Sequence, residues 1–259
     1  MQRLKFLLAF PLLLNAFQDL KPLEQKGFMV VDQVFTPEEI EQISSQFLPF
    51  KDKAFHLIET TPSQERVFSE NNKETRSLYW KTEDVLILQA GKGRYDFFQG
   101  FKKGIFASST VMCNPVLQEL MGKLLGGDFT HYSGMIYSAV GSEDQYWHRD
   151  TSTLSNTDSS GEKLVGLDDF YFTVLIPMTV PFTLENGTTE FLVGSHRLPS
   201  SEFGHCTTAQ VEVPLGSALV FNGKINHRGR GNSSLQDRPA LYIVYHKKWY
   251  NDQYRKGVN

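Results

Sequence analysis

The chain reads as a mainly β protein with flanking helices, a sandwich or barrel, and three observations carry that reading. After residue 129, seven short apolar runs follow one another, separated by Gly, Pro, Asn and Ser. Aromatic residues make up 13% of the chain, with 20 Phe beside 20 Gly and 11 Pro, which favours strands broken by turns over a helical bundle. At 259 residues the chain can bury one large core, so a single domain over residues 18–259 is expected behind an apolar segment at 1–17.

That first segment carries Arg3 and Lys5 and then the apolar run from Phe6 to Leu14, the pattern of a secretory signal's first two regions, without a clean cleavage site after it. The run is too short to span a bilayer, which takes roughly 20 apolar residues. An amphipathic helix packed on the domain stands as the equal alternative. The signal implies a secretory or organellar destination with membrane association of the N-terminus. It would also give meaning to the sequons Asn186-Gly187-Thr188 and Asn232-Ser233-Ser234. The packed helix implies a cytoplasmic protein.

Beyond it, a short helix is expected to about Lys26 and a strand over Phe28-Met29-Val30-Val31. In Thr36-Pro37-Glu38-Glu39-Ile40 the threonine can cap a helix, the proline fits its first position, and Glu39 completes a capping box, with Phe35 and Ile40 as a hydrophobic staple. Pro49 to Lys81 shows no sustained period and reads as loop, followed by a short strand near Val85-Leu86-Ile87-Leu88. Asn114-Pro115 opens a second capped helix, with Leu117, Leu120 and Leu124 on one face and Gly126-Gly127 closing it.

The seven strands are expected at Tyr132 to Val140, Gln145 to Asp150, Phe170 to Val180, Phe191 to Val193, Val211 to Val213, Ala218 to Asn222 and Ala240 to Tyr245. Between Asp150 and Phe170 runs a polar, Gly-containing segment of the length at which loops carry function, and it reads as a lid.

The chemistry centres on Tyr146-Trp147-His148-Arg149-Asp150. On a strand, residues i and i+2 share a face, so His148 and Asp150 can point at one atom while Arg149 points away. His-Arg-Asp also opens the protein-kinase catalytic loop, but the Asn due five residues after the Asp is replaced by Ser155, and no Asp-Phe-Gly occurs. A third ligand is offered by His227, which follows the apolar run from Ala218 to Phe221 and a turn. Two imidazoles and one carboxylate would occupy one face of an octahedral metal and leave the other open, the arrangement of non-haem Fe(II) oxygenases. Alone, His227 would read as an ordinary loop histidine. Eleven residues later, Arg238 opens the next strand, where a buried guanidinium can clamp a carboxylate with two parallel bonds.

A net charge of −3 gives no footprint for nucleic acid, and two cysteines, Cys113 and Cys206, make neither a disulfide framework nor a zinc spacing. A monomer or weak homodimer acting on a small molecule is the expected form.

These motifs resemble the phytanoyl-CoA dioxygenase family of Fe(II)/2-oxoglutarate oxygenases: His148-x-Asp150, the segment from Glu185 to Arg197, the run from Gly216 to His227, and Arg238, over roughly residues 18–250. The resemblance implies a double-stranded β-helix (jelly-roll) core, iron on His148, Asp150 and His227, and Arg238 on the distal carboxylate of 2-oxoglutarate. It implies O2 as co-substrate and succinate and CO2 as products, with hydroxylation, desaturation or oxidative cyclisation favoured by the carboxylate ligand. The chain departs from the family at Gly229, where a hydroxyl residue is common. Gln145 and Thr173 are candidates to supplement the 2-oxoglutarate contacts, although a hydroxyl satisfied within the sheet accounts for Thr173 equally well. His196, in Gly194-Ser195-His196-Arg197, resembles a structural turn of the family. The rivals are a jelly-roll scaffold that has kept the site without turnover and a cupin-like metalloenzyme that does not use 2-oxoglutarate.

Overall fold

The computed structural model describes residues 19–70, 73–82, 86–97, 104–151 and 166–251; the apolar segment at 1–17 and most of the expected lid, residues 152–165, lie outside them. Helix α1 (Lys21–Lys26) ends at Gly27, whose φ of 90° and N–H bond to the Leu23 carbonyl close the last turn before β1 (Phe28–Val31). A side chain at Gly27 would also strike the His196 ring, at 2.6 Å from Nδ1. Helix α2 (Pro37–Thr60) starts with the expected capping box: Thr36 Oγ1 accepts from the Glu39 amide at 3.2 Å, and Glu39 accepts from the Thr36 amide at 2.9 Å.

The expectation of a loop from Pro49 to Lys81 is wrong. Helix α2 runs through Pro49 to Thr60, and a hairpin follows, β2 (Gln64–Glu70) and β3 (Lys73–Lys81). Pro49 lies on the exposed side of α2, where water can take up the carbonyl its missing N–H leaves unbonded, while Phe47 and Ala54 on either side are buried. Phe50 and Phe55 continue the apolar stripe past the proline onto Phe97 and Tyr95. Tertiary packing thus outweighs a local stop signal.

The remaining elements are β4 (Leu86–Gly91), β5 (Arg94–Phe97), the short helix α3 (Ser109–Met112), α4 (Pro115–Leu125), β6 (Phe129–Ser138), β7 (Tyr171–Pro177), β8 (Thr189–Leu192), β9 (Thr208–Gln210), β10 (Ala218–Asn222), β11 (His227–Gly229) and β12 (Arg238–Lys247). Asn114 caps α4 through the amides of Val116 and Leu117, as its sequence predicts.

One antiparallel sheet has the order β1-β10-β7-β12-β6-β5-β4-β3-β2, and a smaller one has the order β11-β8-β9. Along β12 the odd residues Leu241, Ile243 and Tyr245 face outward into a core cluster shared with Ile43 and Phe47 of α2 and Leu117 and Leu120 of α4. The even residues Ala240, Tyr242 and Val244 face inward with Phe221 of β10 and Phe191 of β8. Burial on both faces is why β12 reads as one unbroken apolar run. The inner core, held between the two sheets, is that of a jelly-roll barrel, and the site lies on its wall.

Two expected strands differ. Gln145 to Asp150 pairs only at His148, which forms a bridge with His227. The Gln145 side chain takes the Gly229 amide at 2.8 Å, and Asp144 takes the Gly231 amide at 2.7 Å, bonds that a regular ladder would have made with backbone carbonyls. Val211 to Val213 is displaced to β9, and Val213, held before Pro214, forms an isolated bridge with Phe182.

Candidate metal centre

The bridge between His148 and His227 sets the geometry. Each amide donates to the other's carbonyl at 2.9 Å, which brings the two rings to a centroid separation of 4.4 Å. Asp150, two residues on from His148, places Oδ1 at 3.9 Å from His148 Nε2 and 3.6 Å from His227 Nε2. One ligand atom from each residue lies within 4.8 Å of the others.

Both imidazoles are oriented by one device. His148 Nδ1 lies 2.8 Å from the Tyr146 carbonyl, and His227 Nδ1 lies 3.1 Å from the Ile225 carbonyl. A carbonyl only accepts, so Nδ1 carries the proton in each neutral ring and Nε2 turns its lone pair towards Asp150. The carboxylate is steered as well: Thr173 on β7 donates to Oδ2 at 2.6 Å, leaving Oδ1 for the histidines. The Thr173 hydroxyl therefore lies on a side chain of the triad. Burial pushes His227 down to about 4, against a smaller upward pull from Asp150, so its ring is a neutral ligand at physiological pH. The donor set of two neutral imidazoles and a carboxylate suits a divalent first-row metal.

A second polar group lies further along the inner wall. Arg238 is buried, with Nε on the Asn186 carbonyl at 3.0 Å, Nη2 on Ser138 Oγ at 2.9 Å and its guanidinium over the Phe182 ring. Sequence reasoning missed its companion. Arg94 of β5 is equally buried, with Nη1 on the same Ser138 oxygen at 2.8 Å and Nη2 on the Arg230 carbonyl at 2.8 Å. Among the described residues neither guanidinium forms an ion pair, and Arg94 Nε is sealed without a hydrogen-bond partner. Burial lowers Arg238 to about 9, and the like charge of Arg94 adds to this; burial lowers Arg94 to about 10 despite the pull of Asp144. Both remain cations at neutral pH.

Gly229 links the two groups. It sits two residues beyond His227, and a side chain there would place Cβ 2.7 Å from Arg94 Nη1 and 2.6 Å from Gln145 Oε1. The space that a hydroxyl residue would need is filled by the Arg94 guanidinium. A small residue at 229 opposite an arginine of the other sheet was the available signal, readable only once β5 is known to pair with β6.

Other marked residues have structural places. His196 is buried with Nε2 3.1 Å from the Glu24 carbonyl, away from the triad. Arg149 donates to the carbonyls of Ser195 and Leu198. Asn186 and Asn232 of the two sequons are buried, their amide nitrogens bonded to the carbonyls of Pro181 and of Ser138 and Gln236, so the folded protein has no room for a glycan at either.

Comparison with known proteins agrees with this geometry. The chain is 30% identical over 142 residues to the Fe(II)/2-oxoglutarate-dependent dioxygenase nvfF of Aspergillus novofumigatus, a match covering 52% of this chain and 46% of nvfF. It thus spans less than half the length of the first curated relatives it matches. Among solved structures, AviO1 of Streptomyces viridochromogenes superposes with a TM-score of 0.60 at 16% identity, over 89% of this chain and 94% of AviO1. HygX of Streptomyces hygroscopicus, solved with nickel, 2-oxoglutarate and hygromycin B, gives a TM-score of 0.57 at 14% identity, over 89% of this chain and 86% of HygX, a likeness of fold. The family model for phytanoyl-CoA dioxygenase (PhyH) matches residues 23–240, a span that includes His148, Asp150, His227 and Arg238, and the chain belongs to that family.

Proposed function

We propose that the protein is a non-haem Fe(II)/2-oxoglutarate-dependent oxygenase that oxidises a small molecule by hydroxylation, desaturation or oxidative cyclisation and releases succinate and CO2. The observation that carries this reading is the pairing of two sites on one wall: a His-Asp-His ligand set, and, beside the strand that carries His227, two buried guanidiniums that form no ion pair among the described residues. Bound there, Fe(II) would supply the activation of O2, the oxidant of both 2-oxoglutarate and the substrate. The chain supplies the positions. His148, Asp150 and His227 would hold the metal, with Thr173 and the two backbone carbonyls fixing their orientation. Arg238 and Arg94 would hold the distal carboxylate of 2-oxoglutarate, with Ser138 between them and Gln145 fixing Gly229 alongside. A dicarboxylate would neutralise a pair of cations that is otherwise costly to bury. The similarity to nvfF, an Fe(II)/2-oxoglutarate-dependent dioxygenase, supports this choice of metal and co-substrate, and that to HygX, solved with 2-oxoglutarate bound, supports the co-substrate.

The test is anaerobic loading with Fe(II), then addition of O2 and 2-oxoglutarate, with succinate measured. Formation of succinate that depends on both metal and 2-oxoglutarate is the expected result. A protein that binds metal and 2-oxoglutarate but forms none would be a binding protein, and this reading would fall.

A further inference from the structure

The inner wall carries a group that the metal and the guanidiniums do not use. In register across the large sheet, Thr173, Val244 and Tyr132 form one row, and Tyr171, His246 and Thr130 form the next. The first row is level with the metal centre, because Thr173 bonds Asp150; the second lies one step further from Arg238 along β12. Tyr171 is also close to the chain that leaves Asp150: a side chain at Gly223 would strike both the Tyr171 ring, at 2.3 Å, and Thr151, at 3.1 Å.

His246 is enclosed by three tyrosine rings. Its centroid lies 6.1 Å from Tyr171, nearly parallel, 5.9 Å from Tyr132 and 5.7 Å from Tyr250. The Tyr132 and Tyr171 hydroxyls meet at 2.9 Å. Nδ1 of His246 lies 2.9 Å from the Lys247 carbonyl, so in the neutral ring Nδ1 donates and Nε2 accepts. Among the described residues nothing bonds Nε2, yet it is not one of the sealed, unpartnered atoms, a set that does include His196 Nδ1. The residue is 7% exposed, and its acceptor nitrogen opens onto accessible space. Neither row contains a lysine or arginine, and the ammonium of Lys224, on the turn after β10, is held by the Leu167 carbonyl and Asp169.

Building on the oxygenase reading, we propose that Tyr132, Tyr171 and His246 form the substrate subsite, and that the substrate is an uncharged, ring-bearing molecule whose hydroxyl donates to His246 Nε2. Aromatic walls favour ring faces, an accepting nitrogen selects a donor, and the cation-free rows give an anionic or phosphorylated substrate nothing to pair with. His246 thereby acts as a specificity residue.

The experiment measures affinities of four probes by saturation-transfer NMR: 2-naphthol, naphthalene, 2-naphthoate and coenzyme A. Enzyme loaded with Mn(II), and with Zn(II) as the diamagnetic control, shows by probe relaxation whether binding is beside the metal. 2-Naphthol should bind at least tenfold more tightly than 2-naphthoate or coenzyme A and be relaxed by Mn(II). His246→Phe keeps a ring but removes the acceptor, and should weaken 2-naphthol about tenfold, the size of one buried hydrogen bond, while naphthalene changes less than twofold. His246→Gln should recover most of the loss. Equal weakening of both probes would make His246 a packing residue. Tighter binding of either anion, absence of 2-naphthol binding, or absence of relaxation by Mn(II) would each overturn the proposal. Succinate formation by the wild-type protein is scored separately. A protein without it that shows the naphthol pattern loses the oxygenase reading and keeps the subsite; one that forms succinate but prefers the anions does the reverse.

Discussion

The two polar groups on the barrel wall are built on opposite principles. At the metal centre every orienting bond is satisfied by the chain: each Nδ1 has its carbonyl, and Asp150 has Thr173. At Ser138 two like charges share one hydroxyl, and one Arg94 nitrogen is left without a partner. The first group is preorganised, whereas the second is frustrated and gains from an anion. Thus the co-substrate end of the site should trade stability for affinity, and the metal end should not.

The largest effect tests the preorganised end. His227→Ala removes one of three ligands and should abolish stoichiometric iron binding and lower succinate formation by more than about 10³-fold. Normal iron content, read by metal analysis, would show that His227 is not a ligand.

The comparison is broken most directly at the other end. Arg238→Met should raise KM for 2-oxoglutarate by about 10²-fold, and Arg238→Lys should remain impaired because an ammonium cannot reproduce the planar fork. Arg94→Met should raise it by about tenfold. The same Arg94→Met change removes a buried like charge, so the ligand-free protein should melt no lower than wild type, while the thermal shift produced by 2-oxoglutarate shrinks. If Arg94→Met instead lowers the ligand-free Tm and leaves KM unaltered, Arg94 is a structural tie between strands.

Acid should weaken the metal-free protein through His227. Its folded value, about 4, lies below the ordinary 6.5, so between those values the unfolded chain binds more protons and stability falls with falling pH. The loss should approach roughly 3 kcal/mol by pH 4 and be smaller in His227→Phe, as followed by denaturant melts at several pH values. The smallest effect belongs to Thr173→Val, which frees Asp150 to rotate. A threefold to tenfold loss of metal affinity is expected, with the fold intact by circular dichroism.

Much of this was legible in residues with local meaning. Thr36 to Ile40 and Asn114-Pro115 announce their helices because capping is decided within four residues, and β12 announces itself because both its faces are buried. His148 and Asp150 could be paired because extended backbone puts residues i and i+2 on one face, and His227 was marked by its place after an apolar run and a turn and by the family pattern. The misreadings share a cause in long-range contacts. Pro49 to Lys81 read as loop because it shows no sustained period, and the aromatic wall that holds α2 past Pro49 is made by residues far along the chain. Gln145 could not be known to replace a ladder bond with its own side chain. Arg94 lies in a polar stretch whose partners come from β6 and from the chain after β11.

Arg94 has a kinetic consequence. It spans 136 residues to reach the Arg230 carbonyl, and Arg238 spans 100 residues to reach Ser138. Closing loops of that size costs entropy before any contact repays it, so these bonds should form after the helices and the β2-β3 hairpin, on the late side of the folding barrier. Substitutions at Ser138 or Arg94 should accordingly act on the unfolding rate alone and leave the refolding rate nearly unchanged, which stopped-flow rates in denaturant would reveal. The co-substrate pocket would then be the last part of the barrel to close and the first to open.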